Sequence, residues 1–207
     1  TLGFVAAVPI PEVVFCINSL YLGAKSVNPD VKIKTVWIGT FYDPPKEAEA
    51  ATALLGQGVD VMSQITDSPA PVQLAEAKGV YSYGQSSDMK QYGPKKLLTS
   101  LIDNWAPYYI ERIQAALDGK WVSVDGWRGM KEGQVVLTEL SPIIPDDVRK
   151  LAEDAKAKII AGELNPFTGP LNYQNGKPWL AAGEKATDAA ILSMDYFVEG
   201  VDGTMPR

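Results

Sequence analysis

Leu2-Gly3-Phe4-Val5-Ala6-Ala7-Val8-Pro9-Ile10-Pro11-Glu12 is an apolar, partly β-branched run that stops at proline and gives way to a helical pattern through Gly23. Such a run reads as a buried strand feeding a helix. The same unit recurs. Val31 to Ile38 reads as a second strand, and Asp43-Pro44-Pro45-Lys46-Glu47 opens an alanine-rich helix ending near Gly56-Gln57-Gly58. Val59 to Ile65 is a third strand, after which Thr66-Asp67-Ser68-Pro69 starts a helix that stops at Gly79. Val80 to Gly84 is the fourth. Strands alternating with helices at this spacing predict an α/β fold, a parallel sheet flanked by helices with right-handed crossovers. Prolines just inside the helix starts and glycines just past their ends are the expected punctuation.

The remainder is less regular. Leu97 to Ile102 reads as a further strand. Asp103 to Leu117 reads as a helix carrying Trp105, Tyr108 and Tyr109, whose spacing favours packing over ligand contact. Residues 120–133 are loop-like, Gln134 to Leu140 is strand-like, and Pro145 to Ala161 is a helix with Asp146 and Asp147 complementing its first-turn dipole. Asn175-Gly176 between two extended stretches signals a hairpin, and a short helix is expected around Asp188 to Met194.

Composition removes several function classes. The 207 residues carry a net charge of −6 with no basic stripe, so no nucleic-acid partner is expected. No apolar run approaches the ~20 residues that cross a bilayer. Histidine is absent altogether, which removes Ser-His-Asp and Cys-His machinery and imidazole metal sites. The single cysteine, Cys16, lies in Val13-Val14-Phe15-Cys16-Ile17, the setting of an inert buried thiol. No GxGxxG or Walker sequence is present, and neither a cofactor nor a metal is expected.

In an open parallel sheet, ligands lie beyond the carboxyl ends of the strands, beside helix N-termini. Those positions hold Pro9, Ile10, Pro11 and Glu12; Thr40, Phe41, Tyr42 and Asp43; Thr66, Asp67 and Ser68; and Gln85, Ser86, Ser87 and Asp88. Carboxylates, hydroxyls, free helix N–H groups and an aromatic pair suit a neutral, planar, hydrogen-bonding ligand. They suit a phosphate poorly, having no arginine among them. Each has a plainer role. Asp43, and either Asp67 or Ser68, are natural N-caps, and Phe41 packs under its own loop as readily as it meets a ligand. Asp88 has no clear helix after it to cap.

Residues 3–29 (GFVAAVPIPEVVFCINSLYLGAKSVNP), 39–51 (GTFYDPPKEAEAA), 66–89 (TDSPAPVQLAEAKGVYSYGQSSDM), 97–109 (LLTSLIDNWAPYY), 129–135 (GMKEGQV), 165–170 (NPFTGP) and 199–206 (EGVDGTMP) together resemble the BMP (basic membrane protein) family. These are substrate-binding proteins of ABC transporters, related to the purine nucleoside receptor A lipoprotein. The resemblance implies the type I periplasmic-binding fold, in which two α/β lobes close on a purine nucleoside or base. It also implies an extracytoplasmic location, with a lipid anchor in some members, a membrane permease as partner, and no enzymatic activity.

Family members begin with a first lobe of roughly 110 residues, an ordinary domain size. The resemblance therefore implies that this chain starts where their second lobe starts. On that basis residues 1–96 form the second lobe with the ligand rim, 97–133 cross toward the absent N-terminal lobe, and 134–207 supply the closing strand, helix, hairpin and tail. Phe41 stands where the family places the aromatic that stacks on the purine. Asp88 stands where an aspartate accepts hydrogen bonds from the ligand, and Thr66, Asp67 and Ser68 line the cleft. Nucleoside-binding relatives carry a lysine after the LTS motif, where this chain has Asp103 and Asn104. That departure favours a free base such as adenine. A ligand-sensing regulatory module of the same fold and a nucleoside-processing enzyme are the other two function classes.

Overall fold

The computed structural model describes residues 1–206. Its main sheet has six strands: β1 (Leu2–Ala6), β2 (Ile33–Trp37), β3 (Val61–Ile65), β4 (Tyr81–Gly84), β5 (Leu97–Asp103) and β6 (Val135–Leu137). They lie in the order β2-β1-β3-β4-β5-β6. Strands β1 to β5 are parallel, and β6 runs antiparallel to β5 with Asp103 opposite Val135. The five parallel strands are the α/β sheet that the strand-helix alternation predicts, and the antiparallel edge strand β6 makes the sheet mixed.

The crossovers are α1 (Pro11–Val27), α2 (Pro44–Gly56) and α3 (Ala70–Lys78), each with proline in its first turn. Side chains alternate across the pleat. Leu2, Phe4, Ala6, Ile33 and Ile65 face α1 through Val13, Val14, Ile17 and Tyr21. Val5 and Met62 face the other way, against Ala50, Ala51 and Leu54 of α2 and Ala75 of α3. At the carboxyl end of β4, a Cβ on Gly84 would collide with the Ser100 hydroxyl and with Met89, so only glycine lets β4 and β5 approach there.

The later elements are α4 (Ala106–Leu117), α5 (Asp146–Ala161), the hairpin β7 (Leu171–Asn172) with β8 (Pro178–Leu180), and α6 (Asp188–Leu192). The C-terminal segment completes the α1 side of the core, where Phe167, Met194, Phe197, Val198 and Val201 pack with the β1 and α1 side chains. Neither α4 nor α5 buries a residue, and Ile110, Ile113, Leu117 and Leu151 are more than half exposed.

Several boundaries differ from the sequence reading. Helix α1 continues past Gly23 to Val27, since an isolated glycine inside an otherwise apolar-periodic helix costs only about 1 kcal/mol. Asp103 belongs to β5, and α4 starts three residues later at Ala106. Strand β6 is three residues long because at Thr138 only half of the ladder pair is kept: the Thr138 N–H donates to the Ser100 carbonyl at 2.9 Å, but the return bond goes to a side chain. The Thr138 hydroxyl accepts from the Ser100 N–H at 2.8 Å, and the Thr99 hydroxyl donates to the Thr138 carbonyl at 3.0 Å.

Candidate functional site

Because β1 to β5 are parallel, their carboxyl ends share one rim. The strand order changes direction at β1: the chain passes from β1 out to β2, then returns to β3 on the opposite side. In open α/β sheets the crevice forms at that switch point, outside the carboxyl ends of the two central strands. Here the β1 end carries Pro9 and Ile10, and the β3 end carries Thr66, Asp67 and Ser68.

Pro9 and Ile10 are exposed, and Ile10 caps α1 without any side-chain hydrogen bond. The β2–α2 loop lies alongside, held by the Ile38 N–H to the Ala6 carbonyl and the Gly39 N–H to the Ala7 carbonyl, both at 2.9 Å. Phe41 in that loop is half-buried, with part of its ring packed on the α1-side core, while Tyr42 beside it is 65% exposed. Since β2 and β3 both flank β1, their following loops meet over its end. There the Asp67 N–H donates to the Phe41 carbonyl at 2.8 Å.

Asp67 points its carboxylate to solvent, and no hydrogen bond to it is formed among the described residues. It does not cap α3. The N-cap position is Pro69, and the Ser68 hydroxyl accepts only a long bond, 3.3 Å, from the Ala70 N–H. Asp43 does cap α2, accepting from the Lys46 N–H at 3.1 Å. That bond, followed by contact with the Lys46 ammonium, holds the Asp43 carboxyl below the usual carboxylate range.

Thr66 and Ser68 are each 1% exposed and lie beneath the rim surface. The Thr66 hydroxyl accepts from the Gln64 amide at 3.2 Å, and the Ser68 hydroxyl donates to Glu47 at 2.7 Å. Their hydroxyls thus serve the turn itself. Glu47 and Gln64 were not singled out as site residues, yet both are buried directly under the turn. The signal was present for Glu47: it stands at helical spacing with Ala50, Ala51 and Leu54, so the period alone puts it on the buried face of α2.

Asp88 and Asn104 lie on the β4 and β5 side of the rim. Asp88 is exposed and accepts from the Lys90 N–H at 2.9 Å, while Ser86 before it holds a left-handed φ of 59°. Asp88 lines a cavity of about 170 Å³ with Thr99, Thr138 and Glu139. Asn104 is half-buried and spends its amide on the Gly133 carbonyl at 3.1 Å. A larger cavity, of about 460 Å³, opens between Glu12 and Phe15 of α1, Asp103, and the aromatic group Trp105, Tyr108 and Trp127. Arg128 also lines it, and its two terminal N–H groups meet Glu111 at 2.8 and 2.9 Å. Phe41 and Asp67 line neither cavity, so the Phe41–Asp67 pair and Asp88 occupy separate parts of one open rim.

Cys16 of α1 is partly buried and packs against the α1-side core. Burial, then the neighbouring carboxylates of Glu12 and Asp103, push its thiol up to about 12. The native protein is therefore expected to resist maleimide at neutral pH and to label quickly once unfolded. Mass spectrometry reads both states, and native labelling at the unfolded rate would contradict this setting. No three His, Cys, Asp or Glu side chains converge to hold a metal among the described residues.

The fold has solved counterparts among solute-binding proteins. A solved ABC transporter system solute-binding protein from Conexibacter woesei superposes with a TM-score of 0.65 at 24% identity, covering 79% of this chain and 56% of that one. A solved transcriptional activator of the comK gene from Bacillus halodurans superposes with a TM-score of 0.70 at 27% identity, covering 80% and 58%. Residues 1–165 match the Bmp family model, ABC transporter substrate-binding protein PnrA-like, and the chain belongs to that family. It is 51% identical over 205 residues to a purine-binding protein of Brucella abortus, covering 99% of this chain and 58% of the relative. It is 37% identical over 207 residues to a candidate ABC transporter glucose-binding protein of Haloferax volcanii, covering all of this chain and 50% of the relative. The chain thus spans between half and about three fifths of the length of these relatives.

Proposed function

We propose that the protein is the purine-binding component of an ABC importer, with a free base such as adenine as the preferred ligand. The observation that carries this reading is the joining of Phe41 to the Asp67 turn at the switch point of the sheet, by the 2.8 Å backbone hydrogen bond. It places the loop that carries Phe41 against the turn that carries Asp67, whose exposed carboxylate accepts no hydrogen bond among the described residues. A purine offers a π-face for the Phe41 ring and N–H donors for the Asp67 carboxylate. The 51% identity to a purine-binding protein supports the same ligand class.

In this reading Phe41 stacks on the base, Asp67 and Asp88 accept its N–H groups, and Pro9 and Ile10 wall the crevice. Thr66 and Ser68 act from below by shaping the turn. Asn104 braces the β5–β6 crossing through Gly133, so a sugar hydroxyl finds no lysine there. The ligand is captured without chemistry. The bare apolar faces of α4 and α5 pack against the rest of the complete polypeptide, which closes over the rim, and the closed form is read by a membrane permease outside the cytoplasm.

Glucose is the second reading, favoured by the Haloferax relative. An aromatic face with carboxylate acceptors also suits a pyranose. A ligand that binds only the folded state raises its stability by RT ln(1 + [L]/Kd), about 2.7 kcal/mol at a hundredfold excess over Kd. Thermal unfolding of the complete gene product with adenine, guanine, adenosine or glucose therefore separates the two. Purines are expected to raise Tm and glucose to leave it unchanged; a rise with glucose alone would reverse the assignment.

A further inference from the structure

Glu47 is fully buried, and none of the ion pairs among the described residues includes it. A buried carboxyl group is tolerated only when hydrogen bonds replace its lost water. Three donors do so, and they come from both rim loops. Oε1 accepts from the Asp43 N–H at 3.1 Å, at the end of the loop that carries Phe41. Oε2 accepts from the Ser68 hydroxyl at 2.7 Å and the Ser68 N–H at 3.3 Å, in the turn that carries Asp67. Gln64 holds the same turn from beneath, donating to the Thr66 carbonyl at 2.8 Å and the Ser68 carbonyl at 2.7 Å.

Capping explains only half of this arrangement. A reciprocal bond from the N-cap N–H to a glutamate one turn into the helix is ordinary helix-start chemistry. The bonds to Ser68 add nothing to α2; they tie it to a different loop. Without them the Phe41 loop and the Asp67 turn would share the single backbone bond between Asp67 and Phe41. We infer that Glu47 is the positioning residue of the ligand rim, fixing the aromatic residue against the carboxylate turn before ligand arrives. A rim ordered in advance does not spend binding energy on ordering itself. The inference rests on the reading of Phe41 as the stacking residue.

The test uses the complete gene product with Glu47→Gln, Ser68→Ala, and each of these combined with Phe41→Ala. Glutamine has nearly the same shape, and its oxygen still serves the Asp43 N–H. Its NH2 group, however, faces the Ser68 N–H, donor against donor. Glu47→Gln is expected to weaken adenine binding about tenfold, the size of one lost hydrogen bond. Amide exchange at Asp67 and Ser68 should quicken while exchange in β1 stays as in the wild type. In the Phe41→Ala background the same change should weaken binding no further, because the effect passes through Phe41. Ser68→Ala keeps Glu47 and its bond from the Ser68 N–H, removes the hydroxyl's bond to Glu47 together with the long bond from the Ala70 N–H, and should reproduce a smaller version of both effects. Unchanged affinity in both single variants, or full additivity with Phe41→Ala, would overturn the inference. Should the wild type bind no purine, the ligand reading falls, and exchange alone decides: equal protection of Asp67 and Ser68 in wild type and variants overturns the positioning role, and selective loss upholds it.

Discussion

Phe41→Ala in the complete gene product is expected to weaken adenine binding about five- to 140-fold, because base–aromatic stacking contributes ~1–3 kcal/mol. The fold should persist. Phe41 lies at the edge of the α1-side core, half-buried, whereas the core itself is built from Phe4, Ile17, Ile33 and Phe197 beneath it. The loop is also held without the ring, by the Asp67–Phe41 backbone bond and by the Asp43 cap. Phe41→Tyr keeps a π-face and is expected to retain most of the affinity. Calorimetric titration reads the affinity and thermal unfolding reads the fold. An alanine variant that binds as tightly as the wild type would remove Phe41 from the site, and one that fails to fold would show the ring to be structural.

Asn18→Ala is expected to lower stability by about 2–4 kcal/mol without touching the rim. Asn18 is fully buried on the inner face of α1. Its amide donates to the Tyr196 carbonyl at 2.9 Å and to the Met194 sulfur at 3.1 Å, and its oxygen accepts from the Val198 N–H at 3.1 Å. Truncation leaves the buried Val198 N–H and the partly buried Tyr196 C=O without this partner, at ~1–3 kcal/mol for a fully buried group, and opens a small void beside Met194. Leucine at this position fills the void but strands the same two groups, so it should rescue little. Urea denaturation of both variants measures the loss. A midpoint shift equivalent to less than about 0.5 kcal/mol, the scatter of neutral surface changes, would show that the tail is held by apolar packing alone.

The first four strands were legible because each is a short stretch rich in β-branched, aromatic or other apolar residues and bounded by turn or capping residues, and the helices after the first three carry proline in their first turn. The order of those strands was not legible. Alternation of strands and helices is the same for any doubly wound order, and only the pairing of β1 with both β2 and β3 brings the Phe41 loop to the Asp67 turn. The rim residues could therefore be named individually, but not which of them touch.

Burial drew the other line. Thr66 and Ser68 look like ligand groups from their position after a strand, yet their hydroxyls face inward to Gln64 and Glu47. Asn18 lies in the helical series Val13, Val14, Ile17 and Tyr21, so a polar residue on a buried face was visible. Its partner, Tyr196, stands 178 positions away, and no local pattern identifies a partner at that distance. Similarly, β6 reads as a longer strand than forms, since the diversion of the Ser100 N–H to the Thr138 hydroxyl depends on tertiary register.

Purine capture is tested most directly by calorimetric titration of the complete gene product with adenine, guanine, adenosine and guanosine. The expected result is a Kd in the micromolar range or below, about −8 kcal/mol or stronger, for at least one free base, with weaker binding of the matching nucleoside. Flat traces for all four would contradict purine binding while leaving the fold and family in place.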